Sequence, residues 1–137
     1  MNHLNQAQRH ELETQIQNAT TRPEVQKVVN LANQLNDSMK KLENALDGND
    51  AIKQTSNYVN EDTPQQGNFD EYVDKCKNIV AEQTKPTMSP TDINTIAEKI
   101  NDAKNDLHGE QKLEQAQQQA INTINQMTGL NQAQKIN

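Results

Sequence analysis

The 137-residue sequence contains no tryptophan, one phenylalanine and two tyrosines, and only 31% of its residues are hydrophobic. Globular domains usually contain about 45–50% apolar residues, so a large core that encloses a substrate pocket is not expected. A narrow apolar stripe on each of several helices is enough to hold a slender bundle together. Asn and Gln make up about a quarter of the chain, and we expect them to give such a bundle a polar surface.

Clusters of charge, long apolar runs and paired cysteines are also absent from the sequence. The net charge is −6 and no group of Lys and Arg stands out, which argues against a nucleic-acid partner. The longest apolar runs are too short to cross a bilayer, and no signal peptide or lipidation motif is visible. Cys76 is the only cysteine, which excludes an intrachain disulfide and argues against a cysteine-based metal site. We interpret Cys76 as a small apolar core residue.

One pentapeptide occurs twice. The sequence LNQAQ at residues 4–8 returns at residues 130–134, and a basic residue follows each copy, first Arg9 and then Lys135. Such a return indicates that the chain is one period of a tandem array, with the next copy starting near its end. Repeat proteins of this kind are built for reach and for multiple contacts, so the pattern favours a repeat protein over an enzyme.

Glycines and prolines fall at apparent breaks and divide the chain into six predicted helices. Thr21-Arg22-Pro23-Glu24 has the pattern of a capping box, in which the Thr21 hydroxyl and the Glu24 carboxylate each accept a hydrogen bond from the other residue's amide. Ser89-Pro90 is a second helix start, whereas residues 61–67 are predicted to be a loop. The predicted helices span roughly residues 4–19, 22–46, 50–60, 68–84, 90–107 and 110–128.

Each predicted helix has an apolar face at helical spacing. In the sixth helix this face consists of Leu113, Ala116, Ala120, Ile121, Ile124 and Met127, and we expect it to be buried. The second and fifth helices resemble each other at an offset of 65 residues, with residues 28, 31, 32, 35 and 42 matching residues 93, 96, 97, 100 and 107. This similarity suggests that a helix of the same role occurs in each half of the chain.

The fold class predicted from these patterns is all-α, since no strand-like alternation occurs. We expect two consecutive antiparallel three-helix bundles that form an elongated rod: residues 1–62, then 63–129, with 130–137 starting the next repeat. The three aromatic residues Tyr58, Phe69 and Tyr72 flank the expected junction. They would pack into the core there, or, as a sharper hypothesis, stiffen the joint between the bundles.

Residue patterns that carry chemistry are missing. The sequence has no glycine-rich phosphate loop and no metalloprotease or serine-hydrolase motif. We interpret His3 and His10 as exposed and His108 as a residue near a helix C-terminus. Asp70 and Glu71 fit the first turn of the fourth helix, where negative charge is favourable. We therefore predict no catalytic residues, no cofactor and no metal site. The sequence does not indicate which residues would contact a ligand.

Several segments resemble known modules of Gram-positive surface proteins. Residues 4–9, 16–21 and 35–42 (LNQAQR, IQNATT and LNDSMKKL) resemble the GA module, whereas residues 79–89 and 100–107 (IVAEQTKPTMS and INDAKNDL) resemble the FIVAR module. Alternation of the two modules with a period near 126 residues is similar to the giant staphylococcal extracellular matrix-binding proteins, the Ebh/Embp family. The resemblance covers essentially the whole chain.

This resemblance implies a function outside the cell. It implies a long, monomeric helical rod, anchored to the bacterial cell wall, that contacts host matrix, with fibronectin as the best-known ligand. Some GA modules bind serum albumin, but the second helix is longer here, so we expect no albumin binding. The alternative is a helical spacer that binds no ligand and extends the surface protein or supports the cell envelope, and the scarcity of Trp, Tyr and Arg favours that alternative over a tight single-site binder. A minor alternative, an intracellular helical scaffold, rests only on the lone cysteine.

Overall fold

The computed structural model describes residues 1–127, and all regular structure in that range is helical. The prediction of an all-α fold is therefore confirmed. The segment 130–137, predicted to start the next repeat, lies outside the described residues. The helices are α1 (Gln6–Asn18), α2 (Arg22–Leu46), α3 (Asn49–Ile52), α4 (Ser56–Val59), α5 (Thr63–Val80), α6 (Pro90–Asn105) and α7 (Gly109–Asn125).

Helix α2 begins and ends where the sequence predicts. The Thr21 hydroxyl accepts a hydrogen bond from the Glu24 amide at 3.3 Å, and Asp47-Gly48 ends the helix, with Gly48 at a φ of 74°. The reciprocal half of the predicted capping box is different, because the Glu24 carboxylate accepts from the amide of Thr20 at 2.7 Å and not from that of Thr21. The result is a 25-residue helix, about 37 Å long at 1.5 Å per residue.

One continuous core joins the long helices. Helix α2 packs against both α5 and α6, α5 packs against α6, and α1 lies against α2. The buried side chains form a single cluster drawn from α1, α2, α5, α6 and the turn that follows α6. Because α2 is long enough to contribute buried residues from Val28 to Ala45, this core crosses the junction that the sequence predicts near residues 60–68.

The similarity between the second and fifth predicted helices has a structural counterpart. These helices are α2 and α6, which pack against each other. Residues related by the offset of 65 are buried in both members of five pairs: Val28 and Ile93, Ala32 and Ala97, Leu35 and Ile100, Ser38 and Ala103, and Leu42 and Leu107. The repeated spacing therefore marks the two faces that meet in the core.

The region between α2 and α5 departs from the sequence predictions. The third predicted helix is two short turns, α3 and α4. The predicted loop at residues 61–67 is wrong, because α5 already begins at Thr63. Pro64 lies in the first turn, where the missing amide hydrogen has no helical partner to lose. Gly67 lies in an open part of the helix, with nothing near the position of a Cβ, and the burial of α5 outweighs its low helix propensity.

The early start of α5 also moves two predicted cap residues into the helix interior. Asp70 and Glu71 were expected in the first turn but lie in the middle of α5. Asp70 accepts a hydrogen bond from the Tyr58 hydroxyl at 2.8 Å and pairs with Lys53 at 3.3 Å. The Tyr58 ring packs edge-on against the fully buried Phe69, with 6.1 Å between ring centroids. Core packing of these two aromatic residues is thus confirmed, whereas a stiffening role stays a prediction.

Candidate interaction surfaces and the contacts that position them

Helix α7 has an apolar face that is largely exposed in the described part of the chain. Its main neighbour is the short helix α4, and only Gly109 in it is buried. Leu113 is 38% exposed and Met127 is 49% exposed. The prediction that this face is buried is wrong for four of its six residues. Ile121 and Ile124 are half-buried, whereas the exposed members are Leu113, Ala116, Ala120 and Met127. The physical reason is that the main neighbour of α7 is a four-residue helix, which is too short to cover a 17-residue one.

A second apolar surface lies between α1 and the first half of α2. It is a groove of about 220 Å³, lined mainly by Leu4, Leu12, Ile16, Val29 and Ala32. The rim is open to solvent, since Ile16 is 41% exposed and the nearby Val25 is 37% exposed. Two helices with a shared apolar groove have room for a third helix, so this end of the molecule resembles a three-helix bundle that lacks one member.

The first copy of the pentapeptide forms the N-terminal cap of α1. The Asn5 side chain accepts from the Gln8 amide at 2.8 Å, and the Gln8 side chain accepts from the Asn5 amide at 3.0 Å. Both side chains also donate to the bundle: Asn5 to the Ile79 carbonyl at 2.7 Å and Gln8 to the Thr87 carbonyl at 2.9 Å. Glu82 completes the network by accepting from Asn5 at 3.1 Å. The pentapeptide therefore fastens α1 to the end of α5 and to the connection between α5 and α6.

Another network holds the start of α7. The Glu61 carboxylate, which is fully buried, accepts from the His108 amide at 2.6 Å and from the Asp62 amide at 2.8 Å. It also pairs with the Lys112 ammonium, which contacts the Asp62 carboxylate at 2.8 Å. The Lys112 ammonium and then the His108 amide lower the pKa of Glu61 from 4.5 to about 2. Glu61 is thus an anion that joins the bundle to α7.

Only one of the three histidines lies where the sequence predicts. His10 is exposed as predicted. His3 is half-buried, and its Nδ1 lies 2.7 Å from a Glu43 carboxylate oxygen. His108 is the N-cap of α7 and not a C-terminal helix residue, because α6 already ends at Asn105. Among residues 1–127, no group of three or more His, Cys, Asp or Glu side chains is placed to hold a metal ion.

Cys76 is a buried core residue, as the sequence predicts. Burial raises the pKa of its thiol from 9.0 to about 11, so the reactive thiolate is scarce at neutral pH. Within the described residues, no helix is both long enough and apolar enough to cross a lipid bilayer.

Family models match nearly the whole chain. The FIVAR domain model matches residues 38–108, and the GA module model matches two separate parts, residues 1–38 and 110–137. The chain belongs to the GA and FIVAR repeat family of staphylococcal extracellular matrix-binding proteins. The FIVAR match starts inside α2 and not at residue 63. As a division into folding units, residues 1–62 and 63–129 stay a prediction.

Individual relatives agree with these matches. The chain is 37% identical to the extracellular matrix-binding protein Ebh of Staphylococcus aureus strain MRSA252 over 98% of its own length, and 37% identical to EbhA of strain N315. It spans about 1% and 2% of the lengths of these very long relatives. As a member of this family of extracellular matrix-binding surface proteins, the chain is extracellular.

Two solved structures share the fold. A crystal structure of an EbhA domain from Staphylococcus aureus superposes with a TM-score of 0.89 at 34% identity, covering 98% of this chain and 55% of that one. A second structure comes from a characterisation of Embp-mediated adherence of Staphylococcus epidermidis to fibronectin. It superposes with a TM-score of 0.71 at 35% identity, covering 77% of this chain and 83% of that one.

Proposed function

We propose that this chain is one repeat of a giant, cell-wall-anchored bacterial adhesin whose repeats bind host extracellular matrix weakly and multivalently. Fibronectin is the ligand we propose. The observation that carries the proposal is the match along 98% of the chain to proteins described as extracellular matrix-binding, together with the fold shared with a structure from work on adherence to fibronectin. We further propose that the repeat has no catalytic role and does not bind albumin.

We also propose that successive repeats pack end to end and complete each other. The two parts of the GA match lie at opposite ends of the chain, and the sequence restarts at residue 130. In an array, the α7 of one repeat is therefore followed directly by the α1 and α2 of the next. The exposed face of α7 and the open groove between α1 and α2 have the apolar character needed to meet in a three-helix bundle.

End-to-end packing can be tested in a chain of two repeats. Changing Leu113→Asp in the first repeat places a charge in the proposed contact, so we expect the two-repeat chain to lose stability by about 2 kcal/mol or more. The control is Gln115→Asp, an exposed position on the opposite side of α7. In the single repeat both variants should behave alike. Equal melting curves of the two variants in the two-repeat chain would refute the proposed contact.

Multivalent binding fits the surface of a single repeat. Interface hot spots favour Trp, Tyr and Arg, and the sequence has no Trp, while Phe69 is buried and Tyr58 and Tyr72 are half-buried. One repeat is therefore poorly equipped for tight binding. Weak sites that recur along one molecule can still give a strong overall attachment, because the later contacts form at high effective concentration.

The test is binding of immobilised fibronectin, with albumin in a parallel channel, by the single repeat and by a four-repeat chain. We expect saturable fibronectin binding whose apparent affinity rises at least tenfold from one to four repeats, and no albumin response. A helical, monodisperse four-repeat chain that does not bind fibronectin would refute the adhesin proposal.

The second candidate function is a spacer that holds a distant binding domain away from the cell. The shortage of exposed aromatic side chains favours it, since a spacer needs only end-to-end packing and a solvated surface. The two functions differ in one outcome: a spacer retains the two-repeat contact described above but gives no fibronectin signal at any copy number.

A further inference from the structure

Helix α7 meets the bundle through direct backbone contact at its first residue. A Cβ on Gly109 would lie 2.5 Å from the Ser56 carbonyl oxygen and 2.6 Å from the Glu61 nitrogen, and it would also overlap the Asn57 carbonyl oxygen. These are backbone atoms that a side-chain rotation cannot move. Glycine therefore allows α7 to approach α4 more closely than any other residue could.

Polar contacts on both sides of Gly109 fix the first turn of α7. The His108 amide donates to the buried Glu61 carboxylate at 2.6 Å, and the Glu110 amide donates to the Asn57 side-chain oxygen at 3.2 Å. One turn further along, the Lys112 ammonium pairs with the same Glu61 carboxylate. The negative charge also lies at the positive end of the helix dipole. The contacts thus span residues 108–112, more than a full turn, and constrain both the position and the direction of the helix axis.

Without such contacts the joint between α6 and α7 would be a hinge. Helix α6 ends at Asn105 and α7 begins at Gly109, so a three-residue connection separates them. Gly109 is the only buried residue of α7, and the main neighbour of α7 in the described bundle is the short helix α4. A helix attached through a short turn and few buried apolar contacts is normally free to swing.

We propose that Glu61, Gly109 and Lys112 form a clamp that holds α7 at one fixed angle to the bundle and makes this joint rigid. The fixed angle presents the apolar face of α7 in one orientation and would set the direction in which a repeat array continues. The clamp concerns the joint alone and does not depend on fibronectin binding, so either proposal can fail without the other.

The clamp is testable by measuring a distance across the joint in the full 137-residue chain. Spin labels are attached through Lys99→Cys on α6 and Gln119→Cys on α7, both exposed positions, in a Cys76→Ala background. Double electron–electron resonance then reports the distribution of distances between them. We expect one narrow distribution in this parent chain, because a rigid joint permits one separation.

Two pairs of variants separate the clamp from general effects of substitution. Gly109→Ala should shift or at least double the width of the distribution, whereas Gly67→Ala, whose new Cβ meets nothing within 4 Å, should leave it unchanged. Glu61→Gln should broaden it, whereas Glu98→Gln, which removes an exposed carboxylate paired with Lys41, should not. Circular dichroism verifies that each variant is helical.

Either of two results would overturn the clamp. The first is a broad distribution in the parent chain. The second is a distance distribution that stays narrow in a helical Glu61→Gln variant. That result would overturn the clamp even when Gly109→Ala fails to fold.

Discussion

The cap formed by the repeated pentapeptide yields the most quantitative prediction. Asn5 is 8% exposed, and its side chain has two roles. Its oxygen caps α1 by accepting from the Gln8 amide, and its nitrogen donates to the Ile79 carbonyl near the end of α5. The change Asn5→Ala removes both. Loss of an N-cap costs about 1 kcal/mol. The Ile79 carbonyl still accepts a hydrogen bond from the Glu82 amide at 3.3 Å, so loss of the bond from Asn5 costs only about 0.5–1.5 kcal/mol.

The expected result for Asn5→Ala is a loss of about 1.5–2.5 kcal/mol in the free energy of unfolding. Urea denaturation followed by circular dichroism measures it. With a slope of about 2 kcal/mol per molar urea, the midpoint should fall by about 1 M. The same loss is a large share of the total, because domains of this size are stable by about 5–15 kcal/mol.

Two further variants separate the roles of Asn5 and provide the control. Asn5→Asp keeps the oxygen that caps α1 but replaces the nitrogen that donates to Ile79 with a carboxylate oxygen close to Glu82. This variant should therefore retain only the contribution of the cap to the free energy of unfolding. Gln6→Ala changes an exposed residue of the same pentapeptide and should alter stability by less than about 0.5 kcal/mol. The reasoning is refuted when Asn5→Ala and Gln6→Ala have the same midpoint.

Three other predictions concern buried groups. The pKa of Glu61 lies below its ordinary value, so the ionised carboxylate stabilises the fold above about pH 4.5 and this effect is lost as the pH falls toward 2. Urea titrations at several pH values should therefore show that the stability difference between wild type and Glu61→Gln shrinks over that range. A difference that stays constant with pH would contradict this prediction. With its pKa raised to about 11 from 9.0, Cys76 should react with a thiol reagent at least about a hundredfold more slowly in the folded chain than in urea; equal rates would contradict its burial. Phe69→Ala should lower the unfolding free energy by about 3–5 kcal/mol. The control Val59→Ala, at a 59% exposed position, should change the unfolding free energy by less than about 1 kcal/mol. Similar melting temperatures for the two variants would count against the core role of Phe69.

Local sequence signals located most of the helices correctly. The caps at Thr21 and Ser89 are confirmed, because a capping side chain acts on amides only two or three residues away. The apolar spacing of α2 and α6 is confirmed for the same kind of reason: residues three and four apart share one helix face whatever that face meets. Five pairs of residues related by the offset of 65 between these helices are buried in one core, although the sequence did not predict that the two helices pack against each other.

Local signals failed where a distant contact decided the outcome. Residues 61–67 read as a loop because they contain Pro and Gly, but the packing of Phe69 and Val73 extends α5 back to Thr63. The sequence predicts a break between helices at Gly109. In the structure its lack of a side chain allows α7 to begin in close contact with α4. No sequence signal distinguishes the capping pair of Asn5 and Gln8, since an Asn and a Gln three residues apart are common in a chain that is about a quarter Asn and Gln.

By itself, the sequence determined that the chain is helical, where α2 and α6 begin, that the chain repeats, and which family of surface proteins it resembles. Those properties depend on spacing and identity along the chain. Only the tertiary structure decided that α2 shares one core with α5 and α6, that most of the apolar face of α7 is exposed, and that Glu61 is a buried anion at the start of α7. These features depend on residues far apart in the sequence meeting in space, and neither periodicity nor composition specifies which of several similar amphipathic helices will meet.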